Sequence, residues 1–446
     1  MATNRQRTLS GCKAARPTRA LRPALRAVLA CALAGLGIAA CGTGSGGSGS
    51  GKSISIWEGY TGAEQREFTK LVKQYEKAND VKVNVLYVNN DNTLQKVLTA
   101  VRGGTQPDIA YLYGSWAPNV AKIPQVVNLT KAVQKPSVNW NDFWVGERAV
   151  ATVNGKIIGV PALVDNLAVV YNKKLFAQAG LTPPSANWTW AQFQADAKAL
   201  TKPSIKQYGT AYVTPGSEDT VWHWEPLLWE AGGQILNSSN TKAAFDSAAG
   251  LQSLNTLRTM AVTDRSMYLD PTDSPYANLF NSGKIGMLVT GPWDLSGFNH
   301  VNYGVQIMPA FPGASGGHQT ISGPDNWVLF NNGRAQVSAA EKFVLWLTAT
   351  AQAKAFSLAT GDLPIRQSVA DAPGFSTDMN KALPGVNTFI ANLGNVKQAR
   401  PQIATYPQIS QVLGTMIVSV LLGKSEPKAA LQEAAAKVNA ILAGSG

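Results

Sequence analysis

Aromatic rings set beside planar hydrogen-bonding groups recur along this 446-residue chain. Trp57-Glu58 and Trp116 follow predicted strands, and Trp293-Asp294 follows another. Asp165-Asn166 is a polar break between two apolar extended runs. An indole face packs on C–H groups while its N–H seeks an acceptor. A carboxylate or amide can bond two hydroxyls at once, and a hydroxyl removed from water needs such partners. Together these residue types suit holding a neutral, hydroxyl-rich ring. Each also has a plainer reading: tryptophans bury for stability, and a loop carboxylate such as Asp165 can simply cap the strand that follows it.

Other chemistries fit poorly. Gly313-Ala314-Ser315-Gly316-Gly317 has the form of a serine nucleophile turn, but that mechanism needs a strand before it and a helix after it, and both flanks read as loop. Glycoside hydrolysis needs two carboxylates flanking one bond, and Glu218, Asp219, Glu225 and Glu230 show no spacing that pairs them. His223, His300 and His318 are too scattered for a metal cluster. No catalytic residue, cofactor or metal is expected.

The formal charge of +12 first suggests a nucleic acid or an acidic membrane. Seven of the 39 basic residues, however, fall in residues 1–27, ahead of an apolar run from Val28 to Ala40. A basic region, a short apolar stretch and small residues before a cut site make a secretory leader. The run is too short for an ordinary membrane span. Without residues 1–40, 32 basic residues face 27 acidic ones, about +5, and no long run of like charge survives to bind nucleic acid. Ile38-Ala39-Ala40-Cys41 resembles the bacterial lipobox, in which the cysteine is acylated and becomes the first residue; a plain secretory cut nearby is the alternative. Cys12 and Cys31 leave with the leader, so no thiol chemistry is expected in the domain. Residues 42–51 form a Gly/Ser tether, long enough to hold a domain about 18 Å from its anchor.

The elements that position the candidates read clearly at the start of the domain. Ile54–Trp57 is a strand. Thr61 and Glu64 form a capping box for a helix with Phe68, Leu71, Val72 and Tyr75 on one face. Val81, Val83 and Val85 alternate as a second strand, Leu94, Val97, Leu98 and Val101 mark a second helix, and Ile109–Tyr113 is a third strand. This β-α-β-α-β order implies a parallel sheet whose ligands bind beyond the carboxyl ends of its strands, at the Trp57–Tyr60 and Gly114–Trp116 loops. Asn154-Gly155-Lys156 is a turn. Val160-Pro161 and Leu167–Tyr171 are extended, with Asp165 between them at what reads as a crossing between lobes. Asn172 caps a helix that Gly180 stops, Thr189 and Gln192 form another capping box, and Ser247 caps a helix bearing Leu251, Leu254 and Leu257. Further strands are expected at 208–213, 283–290, 305–308 and 326–330. Ser338 and Glu341 are expected to start a helix.

Motifs along nearly the whole mature chain carry a family resemblance. Gly104-x-x-Pro107-Asp108-Ile109, Asn154-Gly155-Lys156-Ile157-x-Gly159-Val160-Pro161 and Tyr171-Asn172-Lys173-x-Leu175-Phe176-x-x-Ala179-Gly180 come first. Trp229-x-Ala231-Gly232-Gly233, Phe280-x-x-Gly283-Lys284-Ile285-Gly286-Met287, Gly291-Pro292-Trp293 and Gly361-x-Leu363-Pro364 follow. In this order behind a lipobox, the chain resembles the family 1 extracellular solute-binding lipoproteins of ABC-type sugar importers, the maltose and multiple-sugar-binding branch.

The resemblance implies an α/β chain with the two-lobe, type II periplasmic-binding-protein fold. Each lobe would be a mainly parallel sheet flanked by helices, with the ligand cleft between lobes. The lobes would be 52–162 plus 311–361 and 163–309 plus 362–446, with hinges near 160–164, 308–311 and 361–363. It implies capture of a sugar, a disaccharide or oligosaccharide, by hinge closure, and delivery to a membrane permease by a monomer anchored outside the cell membrane through Cys41. A glycerophosphodiester is the alternative ligand, and a surface-anchored glycoside hydrolase the remote one.

For the site, Trp293 matches the family motif, and Trp222 or Trp224 falls where relatives place a stacking aromatic. Trp327 follows a pattern that Pro324-Asp325 interrupts. Asp165 sits where relatives place a sugar-binding acid, and Arg366 where they keep a basic residue near the cleft. Trp57, Trp116, Glu58, Asn166 and Asp294 complete the candidates.

Overall fold

The computed structural model describes residues 51–270 and 276–444. The leader, Cys41 and the tether up to residue 50 lie outside the described residues. In chain order the first elements are β1 (Ser53–Glu58), α1 (Gly62–Asn79), β2 (Lys82–Tyr87), α2 (Asn90–Arg102), β3 (Ile109–Tyr113), β4 (Val160–Leu163), β5 (Ala168–Asn172), α3 (Lys173–Ala179) and α4 (Trp190–Leu200). Then come β6 (Thr210–Val213), α5 (Glu218–Glu230), α6 (Ala248–Arg258), β7 (Met267–Asp270), β8 (Met287–Thr290), β9 (Tyr303–Gln306) and β10 (Asp325–Leu329). The main remaining helices are α7 (Arg334–Leu347), α8 (Thr350–Thr360), α9 (Tyr406–Leu421) and α10 (Pro427–Ala443).

Local chemistry explains most boundaries. The Glu64 carboxylate accepts from the Thr61 N–H at 3.3 Å to start α1, which buries Phe68, Leu71, Val72 and Tyr75. Asn172 accepts from the Leu175 N–H at 3.1 Å to start α3, and Gly180, at φ 69°, ends it. Thr189 and Gln192 cap α4 reciprocally, and Ser247 caps α6. Asn154 and Gly155, both at positive φ, turn a short hairpin between residues 152–153 and 156–157, as a two-residue Asn-Gly loop should. The start of α7 differs from expectation: Gly333 is its N-cap, so Ser338 and Glu341 lie inside the helix.

A five-stranded sheet has the order β2-β1-β3-β10-β4, with β1 parallel to both β2 and β3. Strand β10 runs antiparallel to β3 and to β4. A three-stranded sheet, β8-β5-β9, is antiparallel throughout, and β6 pairs parallel with β7. The α/β class with helix-flanked sheets holds, while strand direction in the second sheet departs from the mainly parallel expectation. Periodicity carries no direction: a strand covered on both faces reads as the same apolar run either way. At the edge, β2 buries only Val83 fully and leaves Val85, Leu86 and Tyr87 exposed.

The chain leaves the first sheet at Leu163 and enters the second at Ala168. Between them Val164 bridges to Leu363 and Asn166 to Ser322, so three separate stretches of chain meet side by side there. On the return from β9, Phe311 and Ile321 still pack with the second sheet's aromatic core, and pairing in the first sheet resumes at Asp325.

Candidate ligand site

A cavity of about 650 Å³ opens between the two sheets, inside the range usual for small-molecule sites. Asp165, Trp222, Trp293 and Asp294 line it. Asp165 is 3% exposed and lies where the three crossing stretches meet. Its backbone carbonyl accepts from the Gly323 N–H at 2.9 Å, its carboxylate is bonded by the Leu363 N–H, and its Oδ1 has no partner. Burial, with the nearby charges of Asp362, Glu64 and Asp325, holds its carboxyl well above the usual range.

Trp293 folds back over Gly291, where a Cβ would stand 1.8 Å from the ring, so only glycine fits there. Its ring lies 5.8 Å from that of Trp222, tilted by 34°, making an aromatic wall. The Trp222 Nε1 is buried without a partner. Asp294 accepts from the Thr290 hydroxyl at 2.6 Å, and burial pushes its carboxyl up to about 6.

The choice between Trp222 and Trp224 follows from helix geometry: residues two apart project from opposite faces of α5. Trp224 is fully buried and donates to Ser253 Oγ at 2.9 Å, so it belongs to the core.

The remaining candidates do not line the cavity. Trp327 is stacked on Phe68 at 5.6 Å and ringed by Tyr60 and Tyr111 inside the first core. Arg366 is interior too: its guanidinium bonds Asp142 at 3.2 Å, Thr348 O at 2.5 Å and Val138 O at 3.2 Å, over the Phe143 ring. Asn166 ties Phe389 O and Asn392 together, Trp116 packs against Tyr113 in a third core cluster, and Trp57 lies under Lys96. Glu58, at the end of β1, is buried and accepts from the Tyr60 N–H at 2.5 Å, and burial raises its carboxyl to about 7. A second cavity, about 30 Å³ inside the Tyr60–Trp327 cluster, has room for little more than a water.

Other residues of the wall escaped sequence reading. Asp91, just past the carboxyl end of β2, accepts from the Tyr113 hydroxyl at 3.0 Å and from the Ser217 hydroxyl. It thereby reaches from α2, beside the first sheet, to the N-terminus of α5, beside the second. The rule that ligands gather at strand ends could have found it. Arg400 bonds Glu218 at 2.8 Å and Ser115 at 3.2 Å. It comes from an irregular stretch with no periodic signal.

Residues 61–354, more than half of the chain, match the model of the bacterial extracellular solute-binding proteins. The chain belongs to that family. It is 27% identical over 426 residues to a binding protein of Brucella abortus, covering 92% of this chain and 97% of that one. It is 24% identical over 409 residues to the sn-glycerol-3-phosphate-binding periplasmic protein UgpB of Pectobacterium atrosepticum, covering 87% and 91%. The crystal structure of the cyclic alpha-maltosyl-1,6-maltose binding protein from Arthrobacter globiformis superposes with a TM-score of 0.70 at 26% identity, covering 88% of this chain and 99% of that one. The family works outside the cytoplasm, with a solute as ligand and an ABC permease as partner, and these relatives are binding proteins.

Proposed function

We propose that this protein is a receptor that captures a sugar, of disaccharide or oligosaccharide size, in the cavity between its sheets and delivers it to an ABC permease. The observation that carries this reading is the Trp222–Trp293 wall standing in one cavity with Asp165 and Asp294. The indoles offer a surface for the C–H face of a sugar ring, and the carboxyl groups offer bonds to its hydroxyls. Capture works by rotation of the two lobes about hinges near 160–164, 308–311 and 361–363. The lobes are 52–162 plus 311–361 and 163–309 plus 362–446.

A thermal-shift screen of the purified chain against mono-, di- and oligosaccharides tests the reading, since a ligand that binds only the folded state raises the melt. Stabilisation by one saccharide class, lost in Trp293→Ala, is the expected result. A screen in which no saccharide shifts the melt would sink it. The similarity to an sn-glycerol-3-phosphate-binding protein supports a second reading, a glycerophosphodiester ligand, which belongs in the same screen.

The leader and Cys41 support processing to a lipoprotein held at the outer face of the cell membrane, because one basic region, one apolar run and a lipobox-like end precede the tether. Intact-mass measurement of the mature protein checks this: a diacylglyceryl group on Cys41 is expected, and an unmodified N-terminus elsewhere would refute it.

A further inference from the structure

The reading above leaves the charge of the solute open, and the wall of the cavity bears on it. Glu64, Asp91, Asp165, Asp219, Asp294 and Asp325 all line it, and none has a lysine or arginine ion-pair partner among the described residues. Asp219 meets the imidazole of His223 at 3.2 Å and lies beside Asp91. Of the basic lining residues, Arg400 is held by Glu218 and Ser115, and Arg66 is exposed. Elsewhere the same chain pairs a buried acid with its own cation, as Arg366 does for Asp142. Here no lysine or arginine is within ion-pair distance of these six acids among the described residues; the His223 imidazole acts on Asp219 and Asp294, and Arg400, held by Glu218, acts on Asp325 from further off.

The acids act on one another. Burial is the main cause that brings Asp91 and Asp325 up to about 7 and Asp294 to about 6, and the charge of Asp219 adds to it at Asp91 and, least, at Asp294. A cation entering this group would let the carboxylates ionise against it.

A second observation, independent of the acids, also points to a missing partner. Trp222 is 8% exposed and lines this cavity with its indole N–H unbonded. That donor calls for an acceptor oxygen. The adjoining faces of Trp222 and Trp293 can in turn stabilise a cation that sits against them.

We propose that the solute is a sugar or polyol carrying a cationic nitrogen, with the nitrogen among Asp91, Asp219 and Asp294 and a hydroxyl oxygen on the Trp222 N–H. A phosphate monoester would meet these carboxylates, with Arg400 already held by Glu218, and is the class the cavity disfavours most.

Calorimetric titration of the purified full chain with matched probes tests this: glucose and glucosamine, cellobiose and the chitosan disaccharide, glycerol 3-phosphate and glycerophosphocholine. The amine-bearing member of at least one pair is expected to bind about tenfold or more tighter than its partner. The gap should narrow at high salt and in Asp219→Asn. Preference for glucosamine or the chitosan disaccharide assigns a sugar ammonium, and preference for glycerophosphocholine a quaternary ammonium. Equal or tighter binding of cellobiose, abolished by Trp293→Ala, would overturn the cationic ligand and leave the sugar reading standing. Tightest binding of glycerol 3-phosphate would overturn it too, and silence from every probe would overturn both readings.

Discussion

Two groups of tryptophans in this protein have the same kind of sequence setting and opposite surroundings. Trp327 sits on β10 with Phe68 stacked on one face and Tyr60 and Tyr111 edge-on around it. Trp222 and Trp293 share one another's company but border an open cavity, and the Trp222 N–H has no partner. A ring enclosed on every side holds the fold. A ring with an uncovered face and an idle donor is available to a ligand. What separates the two is the company on the second face, which is supplied by chain more than a hundred residues away.

Substitutions can break or sharpen that contrast. The largest effect is expected from Trp327→Ala, which empties a packed aromatic core and should cost about 3–5 kcal/mol of stability, read as a fall in the denaturation midpoint with ligand and without. Trp293→Ala should do the reverse. The apo midpoint should change little, because the ring is only half-buried, while saccharide affinity falls by about 1–3 kcal/mol. Equal losses of apo stability in both variants would erase the distinction.

The buried carboxyls give a third, smaller test. Burial raises the carboxyls of Asp325 and Glu58 to about 7 and that of Asp294 to about 6. A carboxyl whose pKa is higher folded than unfolded binds more protons in the native state. Its stabilising effect is therefore complete below the unfolded value, near 4, and is lost as pH rises through 6 to 7. The ligand-free melt should fall from pH 5 to pH 7.5, and Asp325→Asn should flatten that fall. A melt that rises over this window would contradict it. Smallest of all, Ser217→Ala removes one hydrogen bond between Asp91 and the start of α5. It should lower apo stability by about 0.5–1.5 kcal/mol, read as a small fall in the ligand-free melt by scanning calorimetry.

Much of the frame was legible because its signals are short-range. The Thr61–Glu64 and Thr189–Gln192 boxes, the Asn172 and Ser247 caps and the Gly180 stop each depend on atoms within four residues. Ser338 misled because a capping residue is recognised by what precedes it, and Gly333 had already begun α7. Choosing between Trp222 and Trp224 needs a polar face for reference. Helix α5 has none, since all its residues but Asp219 are buried. The two arginines show the limit most plainly. Arg366 finds Asp142, and Arg400 finds Glu218, across 224 and 182 residues. No local pattern records such a pairing, and so one was placed at the cleft wrongly and the other was overlooked.

Asp165 is bonded through its backbone to Gly323 and through its carboxylate to Leu363, while its neighbours bridge to Leu363 and Ser322. In any rotation about a pivot, displacement grows with distance from the axis, and on the proposed hinge this residue lies almost upon it. The cavity then has one fixed point and one travelling surface. On the proposed lobes Asp165, Trp222 and Trp293 all belong to 163–309 and keep their spacing, so a solute can settle on them while the lobes stand apart, and the surface that carries Glu64, Asp91 and Asp325 sweeps toward it afterwards. On that hinge the order of encounter is written into leverage: Asp165 and the rings decide what is allowed to wait, and the opposite lobe decides what is kept.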